Sequence, residues 1–337
     1  MTQFSQRRVL VSRRSVLGAI PALGLPVLGA GQPAIAQRAP SGVPSTSIGI
    51  NPTQDREIDY LPDAWVDIYG RPTATVMING QGPFQFMVDT GSTTTVIANR
   101  MLERLRTPAI GVATVVGTTG TAEMPVARLD RVECGVVTKD ALRVAVLPDS
   151  TMQREDGILG ADMFAGRRLV FNIKQKQVRV EPTRRATRKA LGNMRVRNGL
   201  LAEIDGKVGS VNVRFMLDTG AQVCIANMAL SDALRRRHPR LERVNNVRVY
   251  GVTGHKIVGQ HIAMPRVNLR AFQVDDAGCV AADASIFDLW DLNRDPALIV
   301  GVNLLSRLDS FSIDYGARMF DATLMSELFA RNAAAFG

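Results

Sequence analysis

Along most of the chain, apolar and polar positions alternate with a period of two. Short turn-forming clusters, not long helical stretches, break the alternation. In two places it ends on the same string. In the first, Ile78-Asn79-Gly80 precedes the apolar run Phe86-Met87-Val88, which leads into Asp89-Thr90-Gly91-Ser92. In the second, Ile204-Asp205-Gly206 precedes Phe215-Met216-Leu217, which leads into Asp218-Thr219-Gly220-Ala221. Asn-Gly and Asp-Gly between alternating runs predict tight hairpins, so each Asp-Thr-Gly is expected directly after a strand. A 3.6-residue period then predicts a short helix over 98–105 in the first copy and 226–236 in the second.

The two segments keep matching further on. Gly117-Thr118-Thr119-Gly120, after Val116, corresponds to Gly251-Val252-Thr253-Gly254, after Tyr250, and both read as hairpin tips. Ile158-Leu159-Gly160 corresponds to Ile299-Val300-Gly301, and strands predicted over 169–173 and 311–313 close the copies. The offset grows from 129 residues at the Asp to 141 at the last Gly, so loops of the second copy carry insertions, the largest near 275–295. An internal repeat of this length predicts two homologous β-domains, over 57–181 and 199–326, in an all-β fold with short helices. Residues 37–56 read as a flexible lead-in and 327–337 as a tail. The acid-free run 182–198, with Arg184, Arg185, Arg188, Lys189, Arg195 and Arg197, reads as a solvated linker.

Composition narrows the function. A length of 337 residues suits two domains, and 46% apolar with 21% charged residues excludes wholesale disorder. Three cysteines exclude a disulfide-stapled scaffold and allow at most one bridge. A net charge of +10 raises nucleic acid or an anionic membrane, but 5% aromatics is thin for base stacking, and no nucleic-acid partner is expected. Part of that charge lies in residues 1–36. There Arg13-Arg14, preceded by Ser12, leads into a short apolar stretch ending at Ala34-Ile35-Ala36. This resembles a twin-arginine export signal with a cleavage site, which implies the twin-arginine machinery as a partner and an exported, periplasmic or secreted protein. An uncleaved anchor is the alternative. No other stretch is long and apolar enough to span a bilayer as a helix.

An aspartate at the end of an apolar strand is costly unless its charge is used or neutralised. A single Asp-Thr-Gly reads as a turn. Two of them in duplicated contexts point to paired use. With the downstream apolar-apolar-Gly segments, the strings resemble the aspartic peptidases over nearly all of 65–325. The copies are similar in size to single-lobed retropepsin-like members, yet both lie in one chain, as in a bacterial retropepsin-like protease with tandem domains. The resemblance implies two pepsin- or retropepsin-like β-barrel lobes with the active site between them, a polypeptide substrate and no cofactor or metal. It implies Asp89 and Asp218 as the catalytic pair, supported by Thr90, Gly91, Ser92, Thr219, Gly220 and Ala221. It also makes the tips at Gly117–Gly120 and Tyr250–Gly254 flap candidates and the two apolar-apolar-Gly segments the packing beneath. The flap tyrosine of pepsins has no counterpart in the first copy, where Val116 stands.

Two close carboxylates cannot both ionise freely, so they share a proton, and one then serves as base while the other donates. A hydroxyl at Ser92, where the second copy has Ala221, predicts Asp89 as the more readily ionised partner. Other hydrolytic chemistries are unsupported. His238, His255 and His261 form no metal-binding spacing, no Gly-x-Ser-x-Gly elbow or phosphate-binding loop is complete, and Cys224 reads as core. A peptide-binding module of the same fold remains the alternative function.

Overall fold

The computed structural model describes residues 67, 70–152, 154–184, 193–269 and 272–323, with the short strands Val9–Leu10, Asp59–Tyr60 and Trp65–Val66. The expected export signal, lead-in and tail lie outside the described residues, apart from Val9–Leu10, which pairs parallel with Val115 and Val116.

Pro72–Ile78 and Gln81–Val88 pair antiparallel around Asn79-Gly80. Both turn residues have positive φ, 51° and 72°, as a type I′ turn requires. The second hairpin differs from expectation. Asp205-Gly206 is not its turn but lies within the strand Leu201–Val208, paired with Val211–Leu217. The turn is Gly209-Ser210, where Gly209 has φ of 57°. Gly206 serves a close approach instead: a side chain there would run into the Phe215 ring and the Asn268 carbonyl oxygen.

Each copy then builds the same sheet. In the first the strand order is Ala109–Val116, Thr121–Cys134, Val137–Leu147, Val96–Ala98, Gly157–Leu159, Gln81–Val88, Pro72–Ile78. In the second it is Arg243–Tyr250, Lys256–Ala263, Gly278–Ala281, Cys224–Ala226, Ala297–Val300, Val211–Leu217, Leu201–Val208, with Val267–Leu269 and Phe272–Val274 beyond. The two predicted helices form over Arg100–Arg104 and Met228–Arg237, starting later than the periodicity predicts because Val96–Ala98 and Cys224–Ala226 are buried strands. Asn227 starts the second helix by accepting from the Leu230 N–H at 2.9 Å.

The closing strands Arg167–Asn172 and Ser310–Asp314 pair antiparallel with each other, so one sheet joins the copies. Gln177–Pro182 and Met319–Thr323 extend it on either side. At its centre Phe171 stacks on Phe311, with ring centroids 4.6 Å apart.

The described end of the basic run is less solvated than its composition predicts. This end, Arg195–Arg197, forms a strand on Leu201–Val208. There Arg195 (2.9 Å), Arg197 (2.5 Å) and Arg214 (2.8 Å) all contact the Glu203 carboxylate, which is 1% exposed. Burial alone would raise the Glu203 carboxyl, but the hydrogen bonds from Arg197 and Arg195 outweigh it and hold the group below the ordinary carboxylate range. Arg195 and Arg197 are thus spent on an internal carboxylate.

Candidate active site

Both Asp-Thr-Gly strings leave the ends of buried strands, and the apolar-apolar-Gly segments explain how they are held. Gly157–Leu159 runs parallel to Gln81–Val88, and the Leu159 carbonyl accepts from the Asp89 N–H at 2.9 Å. Ala297–Val300 runs parallel to Val211–Leu217, and the Val300 carbonyl accepts from the Asp218 N–H at 3.1 Å. Gly160 and Gly301 are glycines for lack of room. A side chain would strike the backbone of Thr94 in one copy and of Val223 in the other.

The two strings meet. The Thr90 hydroxyl donates to the Leu217 carbonyl (3.0 Å), and the Thr219 hydroxyl to the Val88 carbonyl (2.8 Å). In return, each hydroxyl accepts from the other threonine's N–H, both at 3.1 Å. Asp89 Oδ1 accepts from the Gly91 N–H at 2.8 Å, and Asp218 Oδ1 from the N–H groups of Gly220 (3.0 Å) and Ala221 (2.8 Å). A side chain on Gly91 would overlap the Asp218 carboxylate, and one on Gly220 the Asp89 carboxylate. Each glycine therefore touches both carboxylates, its own through the N–H and the other through its bare Cα. The aspartates are 1% and 2% exposed.

Residues 74–163 and 203–304 match the aspartyl protease family, one region on each copy. The chain belongs to that family. No curated protein matches it. The repeat is thus a tandem-lobe aspartyl protease, with a polypeptide as the substrate class.

In this aspartyl protease the hairpin tips of the two lobes touch. The Thr119 hydroxyl donates to the His255 carbonyl (3.0 Å), and the Thr253 hydroxyl to the Gly120 carbonyl (3.2 Å). Gly251 packs on Thr119 with no room for a side chain. Thr118 and Val252 are buried at the tips, Gly117 donates its N–H to Gly120 at 2.9 Å, and Gly254 closes the second turn on Gly251 at 3.1 Å. Val116 packs into an apolar cluster of the second lobe that includes Ala221, Val249 and Phe287. Tyr250, at the matching place in the second hairpin, is 37% exposed.

The expected role of Ser92 changes. Its hydroxyl proton goes to the Thr94 carbonyl at 2.7 Å and not toward the Asp89 carboxylate. The predicted bias of Asp89 toward ionisation therefore has no source in that hydroxyl. Cys224 is fully buried, its sulfur accepting from the Gly301 N–H at 3.4 Å, and burial followed by the neighbouring Cys224 pushes the Cys279 thiol up. Neither is placed as a nucleophile. Among the described residues no group of three or more His, Cys, Asp or Glu side chains is placed to hold a metal ion, and no helix is long and apolar enough to cross a membrane.

One pair of supports escapes the sequence reading. Thr95 donates to Asp162 through its N–H (3.0 Å) and hydroxyl (2.8 Å), and its hydroxyl accepts from Gly160 N–H (3.1 Å). The second lobe repeats this with Cys224 for Thr95 and Asn303 for Asp162, the Cys224 N–H donating to Asn303 at 2.9 Å. The signal was present: six residues after each Asp, and two after each closing Gly. Burial holds the Asp162 carboxyl above its ordinary range against the hydrogen bonds from Thr95 and Met163. Its ionised form therefore destabilises the fold, a penalty absent below the ordinary carboxyl range and complete above the raised one. Asp162→Asn, which copies Asn303, is expected to raise the melting temperature at neutral pH, with the gain vanishing as pH falls to about 4. Thermal denaturation across pH checks this, and a variant less stable than the parent at neutral pH counts against it.

Proposed function

We propose that this aspartyl protease is an endopeptidase whose reacting groups are Asp89 and Asp218, one from each lobe, acting on a shared water. The observation that carries the reading is the reciprocal packing of the two strings, in which each glycine abuts the opposite carboxylate. Two carboxylates that close hold one proton between them, and the pair titrates as a unit. The ionised member takes a proton from water as its oxygen attacks the scissile carbonyl carbon. The protonated member gives its proton to the carbonyl oxygen. When the tetrahedral species collapses, the C–N bond breaks and the proton held by the base passes to the leaving nitrogen. The backbone N–H groups of Gly91, Gly220 and Ala221 fix the carboxylates before substrate arrives, so no reorganisation is needed at the moment of reaction.

Incubation with a complex peptide library, followed by mass spectrometry, tests this. The expected result is cleavage at internal bonds, suppressed by a statine-type mimic of the tetrahedral species. Peptides captured intact, with no new termini, would replace the reading with a binding module.

A further inference from the structure

We propose that a cavity under Thr219 is a binding site for a small single-ring aromatic compound. The cavity has a volume of about 190 Å³. Its walls include the stacked rings of Phe171 and Phe311 with Val302, Leu305 and the buried Thr219. Exposed Lys176 and Ser306 line it as well, so it opens to solvent. Dry apolar cavities of ~150 Å³ take up benzene, and the stacked phenylalanines offer an incoming ring an aromatic partner.

The other half of the molecule says what fits. In the central sheet, Ile173 and Tyr315 are equivalent. The Ile173 N–H donates to the Asp309 carbonyl and the Tyr315 N–H to the Arg167 carbonyl, both at 2.9 Å. Lys176 and Arg318 complete the two turns with the same φ of 53°. The repeat likewise sets Leu305 against Phe164 and Thr219 against Thr90. In the Thr90 half, Tyr315 and Phe164 are buried, and the Tyr315 phenol is near enough to Asp89 for burial and the carboxylate charge together to hold its proton on. In the Thr219 half, Ile173 and Leu305 leave space, while the aromatic rings sit in the sheet itself. A free ring restores there what Tyr315 supplies on the opposite side.

Titration of the full chain with p-cresol, the tyrosine side chain as a free molecule, tests this by ligand-observed NMR and thermal denaturation. Saturable binding at millimolar concentrations and a raised melting temperature are expected. Ile173→Tyr, which supplies the ring covalently, should weaken p-cresol binding by about tenfold or more and raise the melting temperature without ligand. Ser306→Trp, at an exposed position, should weaken binding similarly and decides the matter if Ile173→Tyr does not fold. Asp218→Asn should bind p-cresol as the parent does, which separates this site from peptide cleavage. No saturable binding to the parent, or binding unchanged in both blocking variants, overturns the proposal.

Discussion

Asp89→Asn and Asp218→Asn are each expected to lower peptide cleavage by on the order of 10²–10⁴-fold, the range for loss of a general acid or base, with the fold retained. Retention follows from the hydrogen bonds. Each Oδ1 acts as an acceptor for backbone N–H groups, and an asparagine oxygen can take the same bonds. What asparagine cannot do is exchange a proton. Because the carboxylates work as one unit, the double variant should be no slower than the worse single variant. Rates on a peptide taken from the library, with circular dichroism and melting temperature as controls, check this. A folded Asp218→Asn variant with the parental rate would remove Asp218 from the chemistry. A double variant slower than the parent by the product of the two single losses would show two independent groups.

The all-β, two-lobed class was legible because duplication amplifies weak signals. A single Asp-Thr-Gly reads as a turn, whereas two with matching downstream glycines define a repeat, and alternation between them defines strands. The hairpin at Asn79-Gly80 was legible because its turn needs two positive φ values that few residue pairs tolerate. Asp205-Gly206 shows the limit of the same rule. The dipeptide is identical in kind, but its glycine answers to the Phe215 ring and the Asn268 carbonyl, neighbours that only the folded chain supplies.

Other features depended on contacts that only the folded chain supplies. Nothing in the run itself distinguishes Arg195 and Arg197 from solvated linker residues, since the carboxylate they serve, Glu203, lies on the next strand and only the pairing of the two strands brings them together. The meeting of the hairpin tips needs Thr119 beside His255, 136 residues apart. Ser92 was misread for a related reason. A serine hydroxyl can bond to a nearby backbone carbonyl as readily as to a carboxylate, and the Thr94 carbonyl took its proton.

Thr219→Val should cost about 2–6 kcal/mol of stability, because it leaves two buried backbone groups without partners at about 1–3 kcal/mol each. The Thr219 hydroxyl donates to the Val88 carbonyl and accepts from the Thr90 N–H, and both bonds cross from one lobe to the other. Valine has the shape of threonine, so packing is nearly unchanged and the loss isolates the hydroxyl. Thr219→Ser keeps the hydroxyl and should cost much less. Thr90→Val removes the mirror-image pair, the bond to the Leu217 carbonyl and that from the Thr219 N–H. The two substitutions act on one interlocked cluster, so their effects should not add, and a double-mutant cycle should show coupling of about 0.5–3 kcal/mol. Activity should fall with stability in Thr219→Val, since the same bonds hold the Asp89 and Asp218 strings against each other. Urea unfolding of the four variants, read alongside cleavage rates, measures both. If Thr219→Val proves as stable as Thr219→Ser, the interlobe bonds are not what joins the strings, and the central sheet of Arg167–Asn172 and Ser310–Asp314 carries the junction instead.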